Sequence, residues 1–219
     1  MLTEEAVLSG NDLSLLEGSI ALTLLNVYST LLLKTRLSSV VFDPVKLNPH
    51  KLPFDVQAID TIVITHEHAD HFDKELVLEM RRRSKAQILT TPFVAQKLGG
   101  ERVRGLGVGE SVKIKDLTFY TESCVHPANQ PLAFIIKTDI VTIYYPVDSE
   151  PFAAMKEIKS RYEPDIMICI EASKGDLLEI AEMVKPKIVI SYFATGFADI
   201  GIPGVEMKML RQFETFRYP

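Results

Sequence analysis

Thr65-His66-Glu67-His68-Ala69-Asp70-His71 is the stretch on which the reading of this 219-residue chain turns. It follows Asp60-Thr61-Ile62-Val63-Ile64, an apolar β-branched run that reads as a buried strand. It precedes Phe72-Asp73-Lys74-Glu75, which reads as the start of a helix. Three histidines and a carboxylate therefore fall within six positions at a strand-to-helix junction. His66 and His68 are two apart, so on extended backbone both rings point to one side. Asp70 and His71 come after the turn and can reach the same point from another direction. Borderline-soft cations such as Zn²⁺ take imidazole and carboxylate ligands in this way. A polar loop of unrelated histidines is the competing reading.

Composition narrows the field around that stretch. The length suits a single domain, residues 1–219. A chain of this size buries roughly 70% of the surface its unfolded form exposes and needs no staples. Cys124 and Cys169 make no disulfide framework, and each fits an ordinary buried thiol. The formal net charge of −5 gives no general attraction to nucleic acid. Arg81-Arg82-Arg83, the densest basic run, sits at the end of an expected helix, where a solvated cap is favoured over a phosphate site. The first ten residues carry two glutamates and neither lysine nor arginine, the wrong charge for a signal peptide. Ile20 to Leu33 is too short to span a bilayer and is interrupted by Asn26, Ser29 and Thr30. A cytoplasmic protein without membrane association is expected.

In chain order, Ile20 to Leu33 reads as two strands with a turn near Asn26, both faces largely apolar. Ser38 to Phe42 is a strand stopped by Asp43-Pro44. Val45 to Gln57 is a loop holding His50. Lys74 to Arg83 has one apolar helical stripe at Leu76, Val77 and Met80. Ala86 to Leu89 is a strand, and Pro92 to Leu98 a short helix ended by Gly99-Gly100. Glu110 to Ile114 and Leu117 to Val125 are strands. Leu132 to Lys137 and Val141 to Tyr145 form a hairpin. A helix over Pro151 to Arg161, a strand over Asp165 to Ile170, a helix over Gly175 to Val184 and a strand over Pro186 to Tyr192 complete an alternation typical of α/β layers. His126 falls at a strand end before Pro127. By itself, Asp148 can be the cap of the helix beginning near Pro151.

The opening stretch has the pattern His-x-His-x-Asp-His, and on it the chain resembles the metallo-β-lactamase-fold hydrolases, in the branch similar to ascorbate-phosphate lactonases. Matching positions run from about Val41 to about Phe193. The resemblance implies an α+β fold, a four-layer αββα sandwich with one or two metal ions at one edge of its packed sheets. It implies that His66, His68 and His126 hold the first metal. Asp70 and His71 would hold the second, with Asp148 bridging the two. Asp43 would support the histidine loop from beneath, although a turn former before proline is the plain alternative. Asp70 would also orient the attacking water. Zinc is the expected cofactor, with iron or manganese as alternatives. Cys124 shares a face with His126 and reads as a packed thiol rather than a ligand.

One position departs from the pattern. The family carries a further histidine ligand after the strand that matches Ile188 to Ser191, and Phe193 stands there instead. The five histidines of the chain include none after His126. His50, Tyr192 and Glu171 are candidate substitutes. The first site stays complete with an open fourth position, while the second is one ligand short and is expected to bind more weakly. The expected function is hydrolysis of a small ester, lactone or phosphodiester by a metal-activated water. The rival is a non-catalytic metal-binding scaffold or sensor. An iron-dependent redox protein would need an electron-carrier domain that the sequence does not display. The expected partner is a small-molecule substrate rather than nucleic acid, since the compact chain has no room for the inserted domain of the family's RNA-processing nucleases. Homo-oligomer formation is left open.

Overall fold

The structure is a computed structural model that describes residue 15 and residues 18–47, 55–170, 174–192 and 201–219. It divides into two compact units. The first contains the chain to Gly107, together with Ala128–Gln130 and Arg211–Pro219. The second contains Val108–Pro127 and Pro131–Leu210.

The first unit is built on seven strands in the order β14-β1-β2-β3-β4-β5-β6. These are β1 (Ile20–Leu24), β2 (Leu31–Lys34), β3 (Ser39–Phe42), β4 (Thr61–Ile64), β5 (Gln87–Thr90), β6 (Val103–Gly105) and β14 (Thr215–Tyr218). β14, β1, β2 and β3 pair antiparallel, and β3 to β6 pair parallel. Parallel strands need crossovers, and helices α1 (Lys74–Ser84) and α2 (Pro92–Leu98) supply them between β4, β5 and β6. Asp73 caps α1 by accepting the Leu76 N–H, and Thr91 caps α2 at Val94. Leu76, Val77 and Met80 of α1 pack with Val94 and Leu98 of α2 onto Val41, Ile62, Ile64 and Ile88. Every residue of β4 is buried, as its unbroken apolar run requires.

The second unit repeats the plan with seven strands, β13-β12-β11-β10-β9-β8-β7. β7 (Ser111–Ile114), β8 (Leu117–Ser123), β9 (Leu132–Lys137) and β10 (Thr142–Val147) form the antiparallel half. β11 (Ile166–Ile170), β12 (Ile188–Tyr192) and β13 (Glu206–Leu210) extend it in parallel. Helices α3 (Met155–Tyr162) and α4 (Lys174–Val184) make the crossovers. Met155, Ile158, Leu177, Ile180 and Val184 pack on Tyr144, Met167 and Val189.

The expected elements are present, with shifts that have physical causes. The helix read from Pro151 begins instead at Met155, behind Ala154, which makes no side-chain cap bond. Asp148 is therefore not its cap. Three edge strands were not expected: β6, β13 and β14. Each is three to five residues long, and most of their residues are partly or fully exposed, so none carries an apolar run. Among the described residues, no helix is long and apolar enough to cross a membrane. His50, Glu171 and Phe193 lie outside the described residues, as does the side chain of Tyr192.

Candidate metal centre

In the first unit the histidine stretch begins where β4 ends. The Thr65 N–H donates to Asp43 Oδ1 at 2.8 Å, and the chain leaves the sheet there. The backbone then turns, with the His71 and Phe72 N–H groups both donating to the His68 carbonyl at 2.9 and 2.8 Å. The ring centroids of His66 and His68 lie 4.6 Å apart, and those of His66 and His71 lie 4.2 Å apart. His66 and His71 are buried. The structure thus gathers all three rings of the stretch. Asp70 is closer to solvent, its side chain 45% exposed, with Oδ2 4.0 Å from His71 Nε2.

Asp43 is fully buried behind this group. Its Oδ2 accepts from Thr65 Oγ1 at 2.9 Å and faces His71 Nδ1 at 3.0 Å. Burial pushes its carboxyl above the ordinary value, against the pull of His71 and Thr65. These contacts fix where the ring protons go. With Asp43 ionised the carboxylate only accepts, so His71 in its neutral form carries its proton on Nδ1 and leaves Nε2 unprotonated. The single hydroxyl proton of Thr65 goes to Asp43, so Thr65 Oγ1 accepts from His66 Nδ1 at 3.1 Å. In the neutral ring of His66 the proton is then on Nδ1 and Nε2 is unprotonated. A neutral imidazole whose Nδ1–H is held by an acceptor is the form in which histidine ligates a metal through Nε2.

The turn between β1 and β2 supports this loop. The Asn26 side chain accepts from the Tyr28 and Thr30 N–H groups and donates to Thr30 Oγ1 and the Val45 carbonyl. Thr30 Oγ1 donates to the Asp43 carbonyl at 2.8 Å, and Ser29 Oγ donates to the Asp70 carbonyl. Asp43 itself has φ 45°, a left-handed conformation that costs energy in a residue other than glycine. Glu67 points elsewhere and accepts from the backbone N–H and side-chain amide of Asn129 at 2.9 and 2.6 Å. Burial raises its carboxyl, but these Asn129 bonds outweigh burial and hold it below the ordinary range. Sequence reasoning passed over Thr65, Ser29, Thr30 and Glu67. Their type is ordinary, and only their partners mark them.

In the second unit His126 and Asp148 stand together, with His126 Nε2 3.7 Å from Asp148 Oδ2. Two bonds join their loops: the Val125 N–H donates to Ser149 Oγ at 2.9 Å, and the Glu150 N–H donates to the Val125 carbonyl at 2.8 Å. Just before Asp148 the β10 register shifts, and Val147 sits at φ 60°. A left-handed β-branched residue is a true outlier, and it re-aims the chain that carries Asp148. Cys124 packs beside this loop, its thiol pushed up to about 12 by burial. Without a metal the thiol therefore stays protonated.

The donor set in each unit, imidazoles with carboxylates, fits a divalent metal ion.

The comparisons with known proteins agree. The chain matches the beta-lactamase superfamily domain over residues 37–184. A metal-dependent hydrolase of the UPF0173 group from Staphylothermus marinus is 26% identical over 196 residues, which cover 80% of this chain and 84% of that protein. Another of that group, from Caldivirga maquilingensis, is 22% identical over 187 residues, 79% of this chain and 82% of that protein. Among solved structures, the metallo hydrolase Igni18 from Ignicoccus hospitalis matches with a TM-score of 0.75 at 19% identity, covering 92% of this chain and 99% of that one. That likeness shows the fold, the α+β sandwich that the sequence implies. With two thirds of its length inside the matched domain, the chain belongs to the beta-lactamase superfamily and, at that level, stands among metal-dependent hydrolases.

Proposed function

We propose that the chain is one hydrolase domain in which His66, His68 and His126 hold one divalent metal, while Asp70, His71 and Asp148 hold a second beside it. Zinc suits this donor set best. The observation that carries the reading is the gathering of the three rings, with His66 and His71 both meeting their supports, Thr65 Oγ1 and Asp43 Oδ2, through Nδ1. A bound metal supplies Lewis acidity and lowers the pKa of a water toward neutrality. The residues of the chain do the rest. Asp43 and Thr65 fix two rings in the ligating tautomer, Ser29 fixes the turn of Asp70, and the exposed Asp70 carboxylate orients the water and takes up its proton. The substrate is a small ester, lactone or phosphodiester.

Asp70→Asn tests this. The variant keeps size and folding but removes the charge. On 4-nitrophenyl acetate and bis(4-nitrophenyl) phosphate, at equal metal occupancy, its turnover is expected to fall by roughly two to four orders of magnitude. Equal turnover in variant and wild type would remove Asp70 from the mechanism. A wild type that holds metal yet cleaves no substrate in a broad panel would make the protein a metal-binding scaffold.

A further inference from the structure

Strand register places several unused groups beside the histidine loop. Leu24 pairs with Leu31, Leu31 with Phe42, and Phe42 with Val63, so the ends of β1, β3 and β4 and the start of β2 share one edge of the first sheet. The His66–His71 loop leaves from that edge. The first unit exposes four large apolar side chains among its described residues. Val27 (43%), Tyr28 (37%) and Phe213 (40%) lie on this edge, and Leu37 (50%) lies in the β2–β3 turn at the other. Exposed apolar side chains are ordinary when scattered, but three along one edge form a surface that can hold an apolar body.

Lys46 adds a charge to this surface. Its ammonium lies 3.6 Å from the centroid of the Tyr28 ring. Lys46 also has φ 47°, so a second left-handed non-glycine residue follows Asp43 by three positions. The Val45 N–H donates to Thr30 Oγ1 at 3.2 Å, and Asn26 donates to the Val45 carbonyl at 2.9 Å. Ser29, next to Tyr28, donates to the Asp70 carbonyl. Tyr28 is thus one residue from the bond to the Asp70 turn, and Lys46 is one residue from the bonds that tie Val45 to the β1–β2 turn beside it. A cation seated on an aromatic face is oriented without being neutralised, because its remaining N–H groups stay open to an anion. Backbone strain next to a candidate site is a reason to look for a function there.

We infer that Lys46, set by Tyr28, is the recognition group for a negatively charged substrate, a small ester or phosphodiester with an apolar body and an anionic group. Val27 and Phe213 take the apolar part. This inference rests on the hydrolase reading and narrows its substrate class.

The test uses metal-loaded protein and two esters with one leaving group, 4-nitrophenyl hemisuccinate (anionic) and 4-nitrophenyl acetate (neutral). The readout is the ratio of their kcat/KM values. Lys46→Met keeps the stem and removes the charge, and it should lower that ratio roughly tenfold, the scale of one charge-assisted contact. Lys46→Arg should restore most of it. Tyr28→Phe should keep the ratio, and Tyr28→Ala should lower it. Calorimetric titration with phenylphosphonate gives a second readout without turnover, and Lys46→Met should weaken its binding by a similar factor. An unchanged ratio and unchanged phenylphosphonate binding in Lys46→Met would overturn the inference while leaving the hydrolase reading intact. A wild type that cleaves neither these esters nor any lactone or phosphodiester of a broad panel, yet binds phenylphosphonate through Lys46, would remove the hydrolase reading and keep the anion site.

Discussion

At the scale of single residues, Thr65 is the hinge of the account. Its one hydroxyl proton satisfies Asp43, and its oxygen accepts from His66, so one atom decides the tautomer of a candidate ligand. Thr65→Val keeps shape but leaves the buried Asp43 and His66 each short of a partner. The expected loss is about 1–3 kcal/mol of stability, read from denaturant unfolding. A weaker hold on metal should accompany it in chelator competition, and Thr65→Ser should recover both. Unchanged metal retention in Thr65→Val would mean that His66 does not ligate through Nε2. The grouping of these histidines was legible in the sequence because His-x-His-x-Asp-His brings three rings to one turn. Thr65, Ser29 and Thr30 were not legible, because a hydroxyl declares its role only through the atom it faces. The strain at Asp43 and Val147 was equally hidden, since φ is set by neighbours rather than by residue type.

At the scale of elements, strands and helices with a full apolar stripe were read almost to their ends. Pro92–Leu98 coincides with its expectation, since proline opens it and Gly99 closes it. The edge strands β6, β13 and β14 were missed because few of their positions are buried, leaving no alternation to read. The late start of α3 has the same origin, for residues 151–154 lack a capping side chain. What anchors α3 lies at its other end. Glu122 of β8 accepts from the Tyr162 hydroxyl at 2.5 Å and from Arg161 at 2.8 Å. Burial, and then the bond to Glu122, push the Tyr162 phenol up from 10.0 to about 12. A raised folded-state pKa contributes stability that is complete below the ordinary value and lost as pH rises through the folded one. Wild type should therefore exceed Tyr162→Phe in stability by about 1 kcal/mol near pH 8, and the gap should close as pH rises from 10 to 12. Unfolding midpoints of both proteins at several pH values measure it. A gap that persists at high pH would show that the phenol does not titrate as its surroundings require.

At the scale of the whole molecule, each unit carries half of the proposed chemistry at strand ends: three histidines and Asp70 after β4 in one, His126 after β8 and Asp148 after β10 in the other. Both proposed halves were read from the sequence, but their supports, which come from β1–β2 and from the loop at Ser149, were not. It also left open what compensates for Phe193, so the two proposed metals should differ in affinity. The direct measurement is anomalous diffraction from crystals of metal-loaded protein. The account predicts a strong peak bonded to ring nitrogens of His66, His68 and His126, at about 2.0–2.1 Å if the metal is zinc. It also predicts a weaker peak at Asp70, His71 and Asp148 that is lost first under mild chelation. A metal bound away from these residues, or bound by His66 and His68 without His126, would contradict it.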